Sequence, residues 1–121
     1  MKSRRTILQL GAAAAAGLTA PQFAHAEDTK LTVIAFPGGA RYLNPTGNAG
    51  LATGGSGDIL TGLLVGLVAG GATLEDAALV GPYVHGAAAE LFSLDRSERS
   101  LVPSDIVELL PRAFREIERC A

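Results

Sequence analysis

Asp58 follows Gly54-Gly55-Ser56-Gly57 directly, and it is the one charged residue between Tyr42 and Leu74. The run behind it, ILTGLLVGLVA at residues 59–69, is apolar throughout and reads as a helix. Three physical effects meet at that junction. Glycines let a backbone approach a ligand closely. The first turn of a helix presents unpaired N–H groups and a partial positive charge, which suit an anion. A carboxylate there is placed to accept a proton from a bound hydroxyl while the amides hold the negative group being transferred or expelled.

The absence of cations narrows this chemistry. No Lys or Arg lies between Arg41 and Arg96, so a phosphate at this turn is held by backbone amides. A P-loop places Lys and then Ser or Thr after its glycines, where this chain has Asp58-Ile59. A dinucleotide fingerprint needs a strand immediately before it, and a long polar loop stands there instead. On spacing alone Asp58 is equally well read as an ordinary helix cap. Other polar residues have plainer roles. His85 sits among apolar helical neighbours and reads as a core histidine with its hydrogen bonds satisfied. Glu75 and Asp76 read as helix-start charges, and Cys120 lies beside the C-terminus, where no reactive role is expected.

The elements that position Asp58 follow from the pattern on either side. Residues 31–36 (LTVIAF) read as a strand, Pro37-Gly38-Gly39 as a turn and residues 40–43 as a second strand, together a hairpin. Residues 44–57 contain five glycines and read as loop. The helix that starts at Asp58 or Ile59 and runs to about Ala69 is apolar on every side, which predicts burial all round. Gly62, Gly66 and Gly70 form a flat stripe suited to close approach of another backbone, and Gly70-Gly71 ends the helix. Thr73 caps the next helix with Asp76 as its partner. That helix runs towards Leu94, with a kink or break expected at Gly81-Pro82. Ser104 caps a last helix over residues 105–119, with Pro111 in its middle.

The chain has 121 residues and a formal net charge of −2, which supports one small domain. Hydrophobic residues make up 48%, too many for a disordered chain, and the charge is not that of a nucleic-acid binder. A single cysteine excludes an internal disulfide framework, and no Cys/His spacing marks a metal site. Residues 1–26 differ from the rest: Arg4-Arg5, an uncharged stretch over residues 7–20, then Ala24-His25-Ala26 before acidic Glu27. A basic start, an apolar middle and a small-residue exit make a secretory signal, and the paired arginines point to twin-arginine export to the periplasm. The domain expected to follow covers residues 27–121. Its longest apolar run, residues 59–69, falls well short of the roughly 20 residues of a membrane span. A helix apolar on all sides in so short a chain implies a homo-oligomer or a larger domain around it.

The stretch NPTGNAGLATGGSGDILTG at residues 44–62 resembles the signature of ADP/ATP-dependent NAD(P)H-hydrate dehydratases, members of the ribokinase-like superfamily. The similarity continues through Tyr83-Val84-His85-Gly86-Ala87, Ser104-Asp105-Ile106 and Leu110-Pro111-Arg112, covering roughly residues 32–115. It implies an α/β fold: the C-terminal portion of a ribokinase-like domain, with a β-hairpin, a glycine-rich loop and three helices. The resemblance further implies that the central sheet is largely missing and that truncation impairs activity. Ahead of Thr32, Asp28-Thr29-Lys30-Leu31 stands where the family has lysine, glycine and threonine. The resemblance implies nucleotide-dependent repair of hydrated NADH or NADPH, with ADP or ATP, and Mg2+, as cofactors. Asp58 matches the substrate-contacting base, Gly57 the nucleotide-contacting glycine, and the amides of Gly55, Ser56 and Gly57 an anion hole. Asn44 and Asn48 shape the loop, with Asn48 a candidate substrate contact. A ribokinase-like kinase acting on a small alcohol and an inactive exported binding or structural remnant are the alternatives. The resemblance implies a cytoplasmic enzyme and the leader an exported one; both expectations stand.

Overall fold

The structure is a computed structural model that describes residues 32–120. The signal-like segment at residues 1–26 lies outside the described residues. Strand β1 (Thr32–Ala35) pairs antiparallel with β2 (Arg41–Asn44), in the register Thr32 with Asn44 and Ala35 with Arg41. The connection closes with Gly39 N–H donating to Phe36 O at 2.9 Å, and Gly39 takes φ +86°, a left-handed conformation glycine adopts without strain. Three helices follow: α1 (Ser56–Ala69), α2 (Leu74–Ser93) and α3 (Pro103–Cys120). Hairpin, loop and three helices match the expected portion of the fold.

The core lies between α2 and α3. Val84, Ala88, Ala89 and Phe92 of α2 meet Ile106 and Ala113 of α3, with Leu101 closing one end; Ile59 and Leu63 of α1 pack against the cluster. Alanines at Ala88 and Ala89 let the two helices approach closely, and the larger Val84 and Ile106 fill the space between. Arg96 ties the helix ends together. Its guanidinium lies 5.3 Å from the Phe92 ring centroid and Nη1 stands 3.6 Å from Asp105 Oδ1.

Several boundaries differ from expectation for identifiable reasons. The loop at residues 44–57 contains a 3-10 turn at Ala49–Ala52, and α1 begins at Ser56, with Gly55 as its N-cap. Thr73 Oγ1 accepts from Asp76 N–H at 3.0 Å and donates to Asp76 Oδ2 at 2.7 Å, the reciprocal cap anticipated for α2. Helix α3 starts at Pro103, ahead of Ser104. Proline suits the first helical position, and Asp105 Oδ2 accepts from Val102 N–H at 3.0 Å to close the turn. Pro82 does not break α2. A proline disfavours the helical conformation of the preceding residue by striking its Cβ, and that residue is Gly81. Pro111 is exposed within α3, and its missing N–H leaves the carbonyl of exposed Val107 on the water side.

Helix α1 is not buried all round. Ser56 is its one buried residue; Val65 is 63% exposed and Val68 38%. Among the described residues nothing lies within 4 Å of a Cβ built on Gly62 or Gly66, so none of them packs on the glycine stripe there. The close approaches fall on α2 instead, where Gly81 abuts Leu64 and Gly86 abuts Thr46. Among the described residues, no helix is long and apolar enough to cross a membrane.

Candidate functional site

The signature splits into two halves with different work. Its first half, residues 44–50, is a strap laid along α2. Asn44 Nδ2 donates to Pro82 O at 3.1 Å and Gly47 N–H to Glu90 Oε1 at 2.9 Å. Thr46 Oγ1 stands 2.8 Å from Tyr83 O and 3.0 Å from Asn44 Oδ1, sharing one hydrogen between two acceptors. Asn48 spends both Nδ2 hydrogens on α2, on Ala89 O and Ser93 Oγ at 2.9 Å each, while its Oδ1 accepts from Gly50 N–H at 3.0 Å. Gly50 lies under the next loop, where a Cβ would stand 2.7 Å from Glu98 O.

The second half is the turn into α1. Gly55 takes φ +90°, which only glycine adopts readily, and a Cβ there would meet Pro103 Cγ at 2.9 Å. Ser56 N–H donates to Thr53 O at a long 3.4 Å, and Asp58 N–H to Gly55 O at 3.1 Å. The amides of Gly55 and Gly57 have no backbone acceptor outside their own helix among the described residues. Their N–H groups are free for an anion, with Ser56 a weaker contributor. Gly54, Gly55, Gly57 and Asp58 are all exposed. The Asp58 carboxylate takes no hydrogen bond or ion pair among the described residues, and it projects from the first turn of a 14-residue helix.

Beneath this turn lies His85 of α2, 6% exposed. Its Nε2 stands 3.1 Å from Ser56 O and 3.3 Å from Ser56 Oγ. A carbonyl oxygen can only accept, so Nε2 carries the hydrogen. Burial pushes the His85 pKa below its ordinary value of 6.5, against the opposing effect of the Ser56 backbone hydrogen bond. His85 is thus a satisfied core histidine, as its neighbours in sequence suggest. Its place under the glycine turn was not legible, because 29 positions separate it from Ser56.

Three concavities formed by the described residues lie away from the turn. A groove of about 460 Å³ runs between the hairpin and helices α2 and α3, lined by residues that include Tyr42, Tyr83 and Ile117. A second, about 480 Å³, is apolar and opens between α1 and α2 around Val65, Val68 and Leu74. A small one of about 110 Å³ sits by Arg96 and Asp105. None of the three is lined by Gly55, Ser56, Gly57 or Asp58. The candidate site is an open shelf. Among the described residues, no group of three or more His, Cys, Asp or Glu could hold a metal ion.

Comparison with known proteins gives a consistent result. The NAD(P)H-hydrate dehydratase family matches residues 26–112. The ADP-dependent (S)-NAD(P)H-hydrate dehydratase of Bacillus subtilis is 44% identical over 87 residues, 72% of this chain and 32% of that protein. The bifunctional NAD(P)H-hydrate repair enzyme Nnr of Moorella thermoacetica is 46% identical over 87 residues, which is 16% of its length. The chain therefore spans about a third or less of these relatives. A crystal structure of the Bacillus subtilis ADP/ATP-dependent NAD(P)H-hydrate dehydratase, co-crystallised with ATP and Mg2+, superposes with a TM-score of 0.67 at 36% identity, covering 93% of this chain and 39% of that one.

Proposed function

The chain belongs to the NAD(P)H-hydrate dehydratase family, and from that premise we propose that it supplies the base and the phosphate-holding amides for nucleotide-driven dehydration of hydrated NADH or NADPH. Asp58 is the base. It accepts the proton of the ring hydroxyl as that oxygen attacks the terminal phosphorus of ATP or ADP, releasing ADP or AMP. The phosphorylated oxygen then leaves the ring as phosphate while the adjacent ring carbon gives up a proton. The Gly55 and Gly57 amides, with Ser56 weaker, take the negative charge of the phosphate at the helix N-terminus. ADP or ATP supplies the phosphoryl group that turns a poorly leaving hydroxyl into a good one. The residues present suit phosphate, since free amides and a helix dipole face the same solvent region. Among the described residues no acidic cluster could hold a metal, so Mg2+ would arrive with the nucleotide and help neutralise its phosphates. Asn48 is assigned to positioning the loop, because the donors a substrate contact needs are already committed to α2. The exposed apolar face of α1 fits a homo-oligomer, which light scattering on the purified chain tests.

The observation that supports this reading is the joint placement of the Asp58 carboxylate and the free Gly55 and Gly57 amides in one exposed turn. Incubation with MgATP and hydrated NADH, following the return of 340 nm absorbance, tests it. Asp58→Asn lowers the rate about 10²- to 10⁴-fold; an unchanged rate removes Asp58 from its role. Nucleotide at a hundredfold excess over its dissociation constant stabilises the chain by about 2.7 kcal/mol. A second reading, an inactive binding or structural module, is favoured by one observation: Asp58 is exposed and lines none of the three concavities, so none of them shields it from water among the described residues. No thermal shift with ADP or ATP decides for it. Phosphorylation of a small alcohol without NADH recovery decides for a kinase.

A further inference from the structure

A glycine-lined turn is a poor anion site unless something outside it fixes its peptide planes, because glycine backbones otherwise sample many conformations. The turn's own bonds are a long one, Ser56 N–H to Thr53 O at 3.4 Å, and two of ordinary length to Gly55 O, from Asp58 and Ile59; none of these engages the Ser56 carbonyl. The hydrogen bond that reaches it from another helix comes from His85, whose Nε2–H meets the Ser56 carbonyl at 3.1 Å. Among the described residues His85 is the one buried ionisable side chain. Burying an imidazole costs free energy unless its N–H is used, and here it is used on the first carbonyl of α1.

That carbonyl and the Gly57 N–H belong to one planar trans peptide, in which C=O and N–H point in opposite directions. Holding the Ser56 oxygen towards the core therefore sends the Gly57 hydrogen outward, to the side where Gly57 and Asp58 are exposed. We infer that His85 is a positioning residue for the anion site: by holding the Ser56 carbonyl it aims the Gly57 amide at the phosphate. The inference rests on the reading of Gly57 as a phosphate-holding amide. It places His85 behind the site, acting through the backbone and touching neither nucleotide nor substrate.

The test uses the full ¹⁵N-labelled chain as wild type, His85→Leu and His85→Gln. Leucine fills the space without a donor, and the glutamine amide carries a donor on a chain long enough to reach the same carbonyl. Without ligand, the Gly57 backbone order parameter falls from about 0.85 to below about 0.6 in His85→Leu and recovers in His85→Gln. The MgATP dissociation constant rises about tenfold in His85→Leu and returns to within about threefold of wild type in His85→Gln. A rigid Gly57 in folded His85→Leu overturns the inference, as does a glutamine variant that restores neither quantity. Should His85→Leu fail to fold, His85→Gln decides alone, and a tenfold loss of affinity there counts against the inference. If wild type binds no MgATP, the proposed function fails, while the Gly57 order parameter still tests His85.

Discussion

Gly86 of α2 lies against the backbone of Thr46 so closely that a Cβ on it would stand 2.6 Å from the Thr46 carbonyl carbon. The strap thus rests on bare helix backbone, and its hydrogen bonds to Pro82, Tyr83 and Ala89 carbonyls exist because no side chain intervenes. The route from the hairpin to the glycine turn is set by this contact.

Gly86→Ala forces backbone apart from backbone. Overpacking costs about 1–3 kcal/mol, against a helix-propensity gain of about 1 kcal/mol for replacing glycine. Because the clash is with backbone, the cost falls at the upper end of that range, and the net expectation is a loss of about 2 kcal/mol with a lower Tm. A Tm equal to wild type would show that the strap lifts freely.

The same change at Gly66 has the opposite sign. A Cβ there meets nothing within 4 Å, so Gly66→Ala keeps only the propensity gain. The chain becomes more stable by about 0.5–1 kcal/mol, read as a higher urea midpoint with an unchanged slope.

Asn48→Ala removes three hydrogen bonds at once and strands part of the loop–helix joint. At about 0.5–1.5 kcal/mol each, the expected loss is about 1.5–4.5 kcal/mol. A substrate contact without this structural duty would instead leave the urea midpoint in place.

Burial lowers the His85 pKa below 6.5, so the unfolded chain takes up that proton first as the pH falls. Its contribution to stability is complete above that value and is lost as the pH drops through the mid-6 range towards the folded-state pKa. Urea midpoints at about pH 7.5 and about pH 5.5 bracket this window without reaching the ordinary carboxylate range. The midpoint is lower at the acid end, and His85→Gln flattens that difference.

What the sequence revealed and what it hid divide along the range of the interactions. The Thr73–Asp76 cap, the hairpin and the turn before α1 are built by residues a few positions apart, and their chemistry is local. The surroundings of α1 are another matter. An apolar run reports what a helix would bury, and Val65 at 63% exposed shows that the described residues do not supply the cover. Close packing was expected at Gly62 and Gly66, yet it occurs at Gly81 and Gly86, because a helix stripe carries no information about which partner arrives. Pro82 looked like a break until the residue before it is recognised as one without a Cβ. The pairing of His85 with Ser56 left no mark in either neighbourhood, since neither residue type predicts the other across 29 positions.

Helix α1 carries Asp58, contains Gly57, Gly62 and Gly66, and buries one residue fully. Glycines lower the free energy of helix unwinding, and a helix packed on one side opens locally at less cost than the α2–α3 core. The Asp58 carboxylate, the proposed base, therefore rides on the most loosely held of the three described helices. An anion docked at its first turn, which His85 already holds in place, would raise the cost of that opening, so occupancy of the site would slow hydrogen exchange along α1.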